Sequence, residues 1–305
     1  MPFIQYKEIN FRSKSERQIE QANEIIAEYS AQGYTLTLRQ LYYQFVARDY
    51  IPNNDKSYHN LGILVTNARL AGLIDWYAIE DRGRGIHEWL IEEDETEPLQ
   101  GIEHGFALDF WQRQGKYVEV WVEKDALSSV LRRPCEKLRV PYMPCKGYSS
   151  ASEMWRAGQR FEEMLNQGRE CVLIHLGDHD PSGIDMTRDN SERLELFAGE
   201  NVEVRRIALN MNQVRQYNPP PNPAKMTDRR AADYVAVHGQ KSWELDALEP
   251  KVIERLVDDE LRSLIDVEVW NETRNEEDDA RKFLRGLAPN WEHVRQFMED
   301  NGYEN

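Results

Sequence analysis

V-E-V-W-V-E-K-D-A-L (Val118–Leu127) and V-L-I-H-L-G-D-H-D-P-S-G (Val172–Gly183) are two apolar runs that each end in acid. The first delivers Glu123, the second Asp178 and Asp180. Residues two apart in an extended segment point the same way. With the two strands side by side, three carboxylates meet at one edge of a sheet. A hard divalent cation such as Mg²⁺ takes oxygen ligands of this kind.

Outward from these runs the pattern alternates. Strands are predicted at Tyr117–Val122, Tyr142–Pro144, Cys171–Gly177 and Val202–Ala208, and helices at Ala126–Leu138, Ser152–Leu165 and Asp185–Leu196. Such alternation implies a mainly parallel α/β sheet. Ligands bind beyond the carboxyl ends of its strands, where the three acids fall. The tail reads as helical at Val252–Leu264, Glu276–Leu284 and Trp291–Met298. There is no internal repeat, and Pro219–Pro223 is a short loop.

Upstream, a polar arm over Met1–Gln18 runs into a helix marked by Ile19, Ala22, Ile25, Ile26 and Tyr29, ended by Gly33. Thr35–Thr37 caps a second helix, T-L-R-Q-L-Y-Y-Q-F-V-A-R. Asp55 or Ser57 caps a third, which runs through Leu61, Val65 and Leu70 to Gly72. A strand at Ile74–Ile79 and a basic turn, Asp81–Gly85, follow. Three helices, a strand and a basic turn suggest a winged-helix (CAP-like) domain, with Arg69, Arg82 and Arg84 as phosphate contacts. A small helical domain with solvated arginines fits the same pattern. Glu92–Gly105 is acidic and reads as a linker. The expected division is therefore 1–100 and 101–305.

Hydrophobic residues make up 40% of the 305, enough for two cored domains. No apolar run reaches membrane-spanning length and no signal-peptide pattern opens the sequence. Cys135, Cys145 and Cys171 lack C-x-x-C spacing, which disfavours a disulfide framework or zinc site. A soluble, cytoplasmic protein is expected, with no membrane partner. The net charge of −16 opposes DNA binding, since phosphate contacts need Lys and Arg. Much of the acid lies in Glu88–Glu97 and Glu254–Asp279, and local field outweighs total charge. DNA affinity is expected to be weak, salt-sensitive or partner-assisted.

In R-Q-L-Y-Y, Arg39 and Tyr43 stand four apart on one helical face. A neutral phenol is a poor nucleophile, with a pKa near 10. A guanidinium one turn away favours the phenolate and can grip a phosphate. That chemistry suits a tyrosine attacking a phosphodiester. Tyr42 reads as packing with Leu38, Leu41 and Phe45.

A Glu after one strand and D-x-D after another is the Toprim signature. E-K-D-A-L with G-D-H-D-P-S-G resembles the Toprim domain of the topoisomerase VI A subunit and its relative, the meiotic double-strand-break transesterase. R-Q-L-Y-Y resembles that family's nucleophilic helix, roughly R-D-x-Y-Y, with Gln40 where an acid is usual. The segments R-R-I-A-L-N-M-N-Q-V-R-Q-Y-N-P-P-P and S-W-E-L-D-A-L resemble its tail. The likeness covers Thr35 to Leu248 and is nearest to the compact stand-alone Mini-A members.

The resemblance implies a Mg²⁺-dependent DNA transesterase. Tyr43 would be the nucleophile, Arg39 its support, and Glu123, Asp178 and Asp180 the metal ligands, with Glu123 alternatively a general acid or base. It implies a homodimer in which Tyr43 of one protomer meets the metal site of the other, cutting both strands with 5′-phosphotyrosyl links. An ATP-binding B-subunit-like partner, not encoded here, would be needed for strand passage.

Lys124 and Lys146 are candidate DNA contacts, the latter in P-C-K-G-Y-S-S, which resembles the family's G-Y-P loop with Ser149 in place of proline. Lys225, Arg229 and Arg230 read as a basic patch or a solvated turn. Glu244 and Asp246 read as structural, or as further acids near the site, and His179 as packing. A histidine metal site at His175 and His179 is disfavoured. Two rivals remain: a Toprim-type Mg²⁺-dependent nuclease in which water attacks, and a non-catalytic DNA- or partner-binding module.

Overall fold

The computed structural model describes residues 3–80, 96–199 and 202–302. The chain divides into two compact units. Met1–Arg84 joins Val118–Ser263, and Gly85–Tyr117 joins Leu264–Asn305.

The first unit opens with α1 (Ser13–Ala31), β1 (Leu36–Thr37), α2 (Leu38–Ala47), α3 (Asp55–Leu70) and β2 (Ile79–Glu80). Helix α2 starts where the sequence predicts, at a reciprocal cap. The Gln40 N–H donates to the Thr37 hydroxyl, and the Thr37 N–H donates to Gln40 Oε1 at 2.8 Å. Helix α3 is capped by Asn54, one residue before the candidate Asp55 and three before Ser57. Ile25, Leu41, Phe45 and Ile74 have no exposed surface and bind the three helices into one apolar core.

The strand expected over Ile74–Ile79 shrinks to β2, which pairs parallel with β1. Asp75 turns the chain instead, its carboxylate accepting from the Tyr77 N–H at 2.9 Å.

Residues 92–105 were expected to form a linker. From Thr96 to Gly105 they form helix α4, and α5 (Phe110–Arg113) follows. Both belong to the second unit, where Phe110 and Trp111 meet the Trp270 ring edge-on at 4.7 and 5.7 Å. The expected division at residue 100 thus differs from the compact units, since the N-terminal helices share theirs with the sheet.

The sheet elements are β3 (Lys116–Val122), α6 (Ser128–Leu138), β4 (Tyr142–Pro144), α7 (Ala151–Asn166), β5 (Glu170–Leu176), α8 (Pro181–Ala198) and β6 (Glu203–Ala208). The strand order is β4-β3-β5-β6, and the sheet is parallel. Val120, Trp121, Val122, Leu173, Ile174 and Leu176 are fully buried, as expected for strands covered on both faces. Then come α9 (Met211–Tyr217), β7 (Asn222–Pro223), α10 (Ala231–His238), β8 (Lys241–Ser242) and α11 (Pro250–Ser263). In the second unit, α12 (Val267–Arg285) is longer than the helix expected at Glu276–Leu284, and α13 (Trp291–Asp300) follows. Asp266 caps α12, which explains the earlier start.

All three cysteines are free. Among the described residues no helix is long and apolar enough to cross a membrane.

Helices α7 and α8 approach closely at Gly158. A Cβ there would lie 2.2 Å from Phe197 Cβ and 2.9 Å from its backbone carbon. Gly158→Ala should therefore lower the stability of this unit by about 2 kcal/mol, read as a lower midpoint in urea unfolding at unchanged slope.

Candidate metal and nucleophile site

The parallel order sets β3 beside β5, so their carboxyl ends present acid together. Glu123 follows β3 directly. Its N–H donates to Leu176 O at 2.9 Å, and its Oε2 accepts from the Asp178 N–H at 2.8 Å. Asp180 is the N-cap of α8 and accepts from the Gly183 N–H at 2.6 Å. This cap starts α8 at Pro181, four residues before the predicted Asp185. The three predicted acids border one cleft of about 430 Å³ with Arg39, Lys124, Lys146, Lys225 and Glu244. A larger cleft of about 920 Å³, bordered by Tyr34, Gln44, Arg133 and Tyr217, contains none of these acids. The smaller one is the candidate site because the strand-end acids converge on it.

Lys124 dominates the interior. Its ammonium lies 2.7 Å from Glu244, 2.8 Å from Asp246 and 3.0 Å from Asp178. Burial opposes its charge, but the three carboxylates outweigh that and hold its pKa above the ordinary lysine value. Asp178, 6% exposed, also accepts from the Leu245 N–H at 2.8 Å. Burial pushes the Asp178 carboxyl up to about 8. Lys124 pulls against this, while Glu123 and Asp246 add to it. Glu123 is raised too, chiefly by burial. Glu244 is held down at about 2 by Lys124 and Arg39, against the effect of its own burial.

Arg206 was not singled out from the sequence, and it fixes the acid loop. It donates to the carbonyls of Asp178 at 2.7 Å, Gly177 and Gly183 at 2.9 Å and Leu209 at 3.2 Å. Burial lowers its pKa to about 10. Gly183 completes the loop: a Cβ there would sit 2.3 Å from the Asp178 carbonyl oxygen. Nothing in R-R-I-A-L marks Arg206 for this role. Glu244 and Asp246, read as structural acids, stand at the cleft and its wall. Their signal was a second acid-x-acid spacing in S-W-E-L-D-A-L.

Arg39 and Tyr43 share a face of α2 as the spacing predicts, with the guanidinium 5.9 Å from the Tyr43 ring centre. Arg39 bonds to Glu244 and lies 3.1 Å from Asp246. Tyr43 is only 3% exposed, and its phenol lies within the electrostatic reach of Glu244, Asp246 and Arg39. Its pKa moves up from the ordinary phenol value. Burial is the main cause, Asp246 and Glu244 add to it, and Arg39 alone opposes. The expected stabilisation of the phenolate is thus outweighed in this conformation. Tyr43 lies beside the acids of its own chain, under the Arg39 guanidinium that pairs with Glu244 and Asp246. Tyr42 packs as expected, edge-on to Tyr43 and Tyr58, with its hydroxyl bonded to Asn53.

Other candidates divide. Lys146 borders the cleft, 3.5 Å from Asp125. Arg69 does not face outward: it donates to the carbonyls of Trp76 and Ile79 and stacks on the Trp76 ring, bracing the turn before β2. Arg82 and Arg84 lie outside the described residues. His179 is a packing residue, bonded to the Tyr234 hydroxyl and bridged through its backbone to Trp243.

Among the described residues no group of three or more His, Cys, Asp and Glu side chains is arranged to hold an ion. Asp178 spends both oxygens on Lys124 and Leu245, and Glu123 turns one toward Asp178. In donor type the cleft nevertheless suits a hard cation. Its acids offer only oxygen, and no Cys or His borders it.

No family model matches this chain, and no curated protein matches it.

Arg206→Leu should strip four carbonyls of their donor and cost about 3 kcal/mol. The unfolding midpoint should fall, and backbone amides of residues 177–183 should exchange faster with deuterium.

Proposed function

We propose that this chain is a Mg²⁺-dependent, DNA-cleaving transesterase built from a winged-helix-like helical part and a Toprim-like sheet. One observation carries this reading: α2 brings Arg39 and Tyr43 against the acids at the sheet edge within one compact unit. The sequence resemblance to the topoisomerase VI A subunit family supports it independently. The acids by themselves fit any enzyme that uses a hard cation, whereas a tyrosine and arginine beside them fit phosphodiester attack.

Glu123, Asp178 and Asp180 are the residues that would hold Mg²⁺, which supplies charge neutralisation at the phosphate and the leaving oxygen. Arg39, Lys146 and Lys225 supply positive charge at the rim for the DNA backbone. Tyr43 Oη would bond to phosphorus as the bond to the 3′ oxygen breaks. The product is a 5′-phosphotyrosyl link and a free 3′ hydroxyl, so the step is reversible and needs no ATP. Attack requires Tyr43 to leave its buried position. DNA phosphates favour this by competing for Arg39. A homodimer would let each phenol reach the partner's acids and cut both strands, and an ATPase partner would be needed only for strand passage.

A second reading is a Mg²⁺-dependent nuclease in which water attacks. The burial of the phenol and its raised pKa favour it.

Incubation of 5′-labelled and 3′-labelled duplex DNA with the protein and Mg²⁺, followed by denaturing electrophoresis, separates the two. Transesterification leaves broken 5′ ends on the protein. Tyr43→Phe should abolish the adduct, and Asp178→Ala should lower it at least a hundredfold. Free 5′-phosphate ends that persist in Tyr43→Phe would establish hydrolysis. No cleavage by the unaltered protein at any metal concentration would leave a binding module.

A further inference from the structure

A lysine ammonium has three protons to donate and carries one positive charge. In this fold Lys124 meets three carboxylates at 2.7 to 3.0 Å, one proton for each. Two of them, Glu244 and Asp246, come from an acid-x-acid segment, as Asp178 and Asp180 do. The antiparallel bridge between His179 and Trp243 holds the two segments together. Asp178 is thus common to two oxygen clusters: one with Glu123 and Asp180, the other with Glu244 and Asp246. Phosphodiester-cleaving sites with two metal ions are built from two such clusters sharing a ligand, with the ions about 4 Å apart. Here the second cluster already encloses a cation. Asp246, 2% exposed, has an oxygen with no hydrogen bond, 3.1 Å from the Arg39 guanidinium.

We infer that Lys124 stands in for a second divalent ion, so that the site takes one Mg²⁺ where its carboxylates would otherwise take two. The inference rests on the proposed metal site at Glu123, Asp178 and Asp180.

Mn²⁺ is the probe, titrated into the full chain and followed by calorimetry and electron paramagnetic resonance. The unaltered protein and Lys124→Arg should each bind one ion with an uncoupled six-line spectrum. Lys124→Met should bind two, with the broadened multiline spectrum of neighbouring coupled ions. If Lys124→Met folds poorly alone, Mn²⁺ should raise its melting temperature more than that of the unaltered protein. Two coupled ions in the unaltered protein would overturn the inference and leave the metal site intact. So would a folded Lys124→Met that still takes one ion, or a misfolded one that Mn²⁺ does not rescue. No bound ion in the unaltered protein would remove the metal site itself, and the inference with it.

Discussion

The contact of one ammonium with three acids holds this site in shape. Asp178, Glu244 and Asp246 are brought from two distant stretches, and burial leaves them little water to screen their repulsion. Lys124 supplies the positive charge that lets them remain close. Removing one partner of such a buried set is costly, because the others are left uncompensated. Through the same acids the sheet holds α2: Arg39 pairs with Glu244 and Asp246. The position of the candidate nucleophile is therefore an electrostatic consequence of a lysine on another element.

Backbone geometry then makes the arrangement stiff on one side and releasable on the other. The D-x-D loop is braced by Arg206 against four carbonyls and by the tight fit at Gly183, and Asp180 serves both the cleft and the start of α8. None of these contacts can open without loss of hydrogen bonds in a buried place. Arg39, by contrast, has two-fifths of its side chain exposed, and its partners can be exchanged for anions from solvent. Any motion that frees Tyr43 belongs on the α2 side.

The sheet and its acids were legible because parallel strands are apolar runs with sharp ends, and the ends carry the chemistry. Glu123, Asp178, Asp180 and Arg39 fall at one cleft because strand ends and helical spacing are local properties. Lys124 was marked as a phosphate contact, yet its neighbours 120 residues away draw it inward. Arg69 was read as outward-facing for the same reason: its carbonyl partners depend on a turn that replaced the expected strand. Arg206 and the helical state of Thr96–Gly105 depend on tertiary packing, which spacing and composition do not encode. The burial of Tyr43 is of this kind too, for R-Q-L-Y-Y fixes which face the phenol occupies but not what covers that face.

The Arg39–Glu244 contact spans 205 residues of chain. Closing so long a loop carries an entropic cost that local helices and neighbouring strands do not bear, so this contact forms late in folding. During synthesis α2 leaves the ribosome long before Glu244 is joined to the chain. A nascent polypeptide therefore has its tyrosine helix without the carboxylates that complete it, and whatever chemistry the pair performs must wait until translation has passed that point.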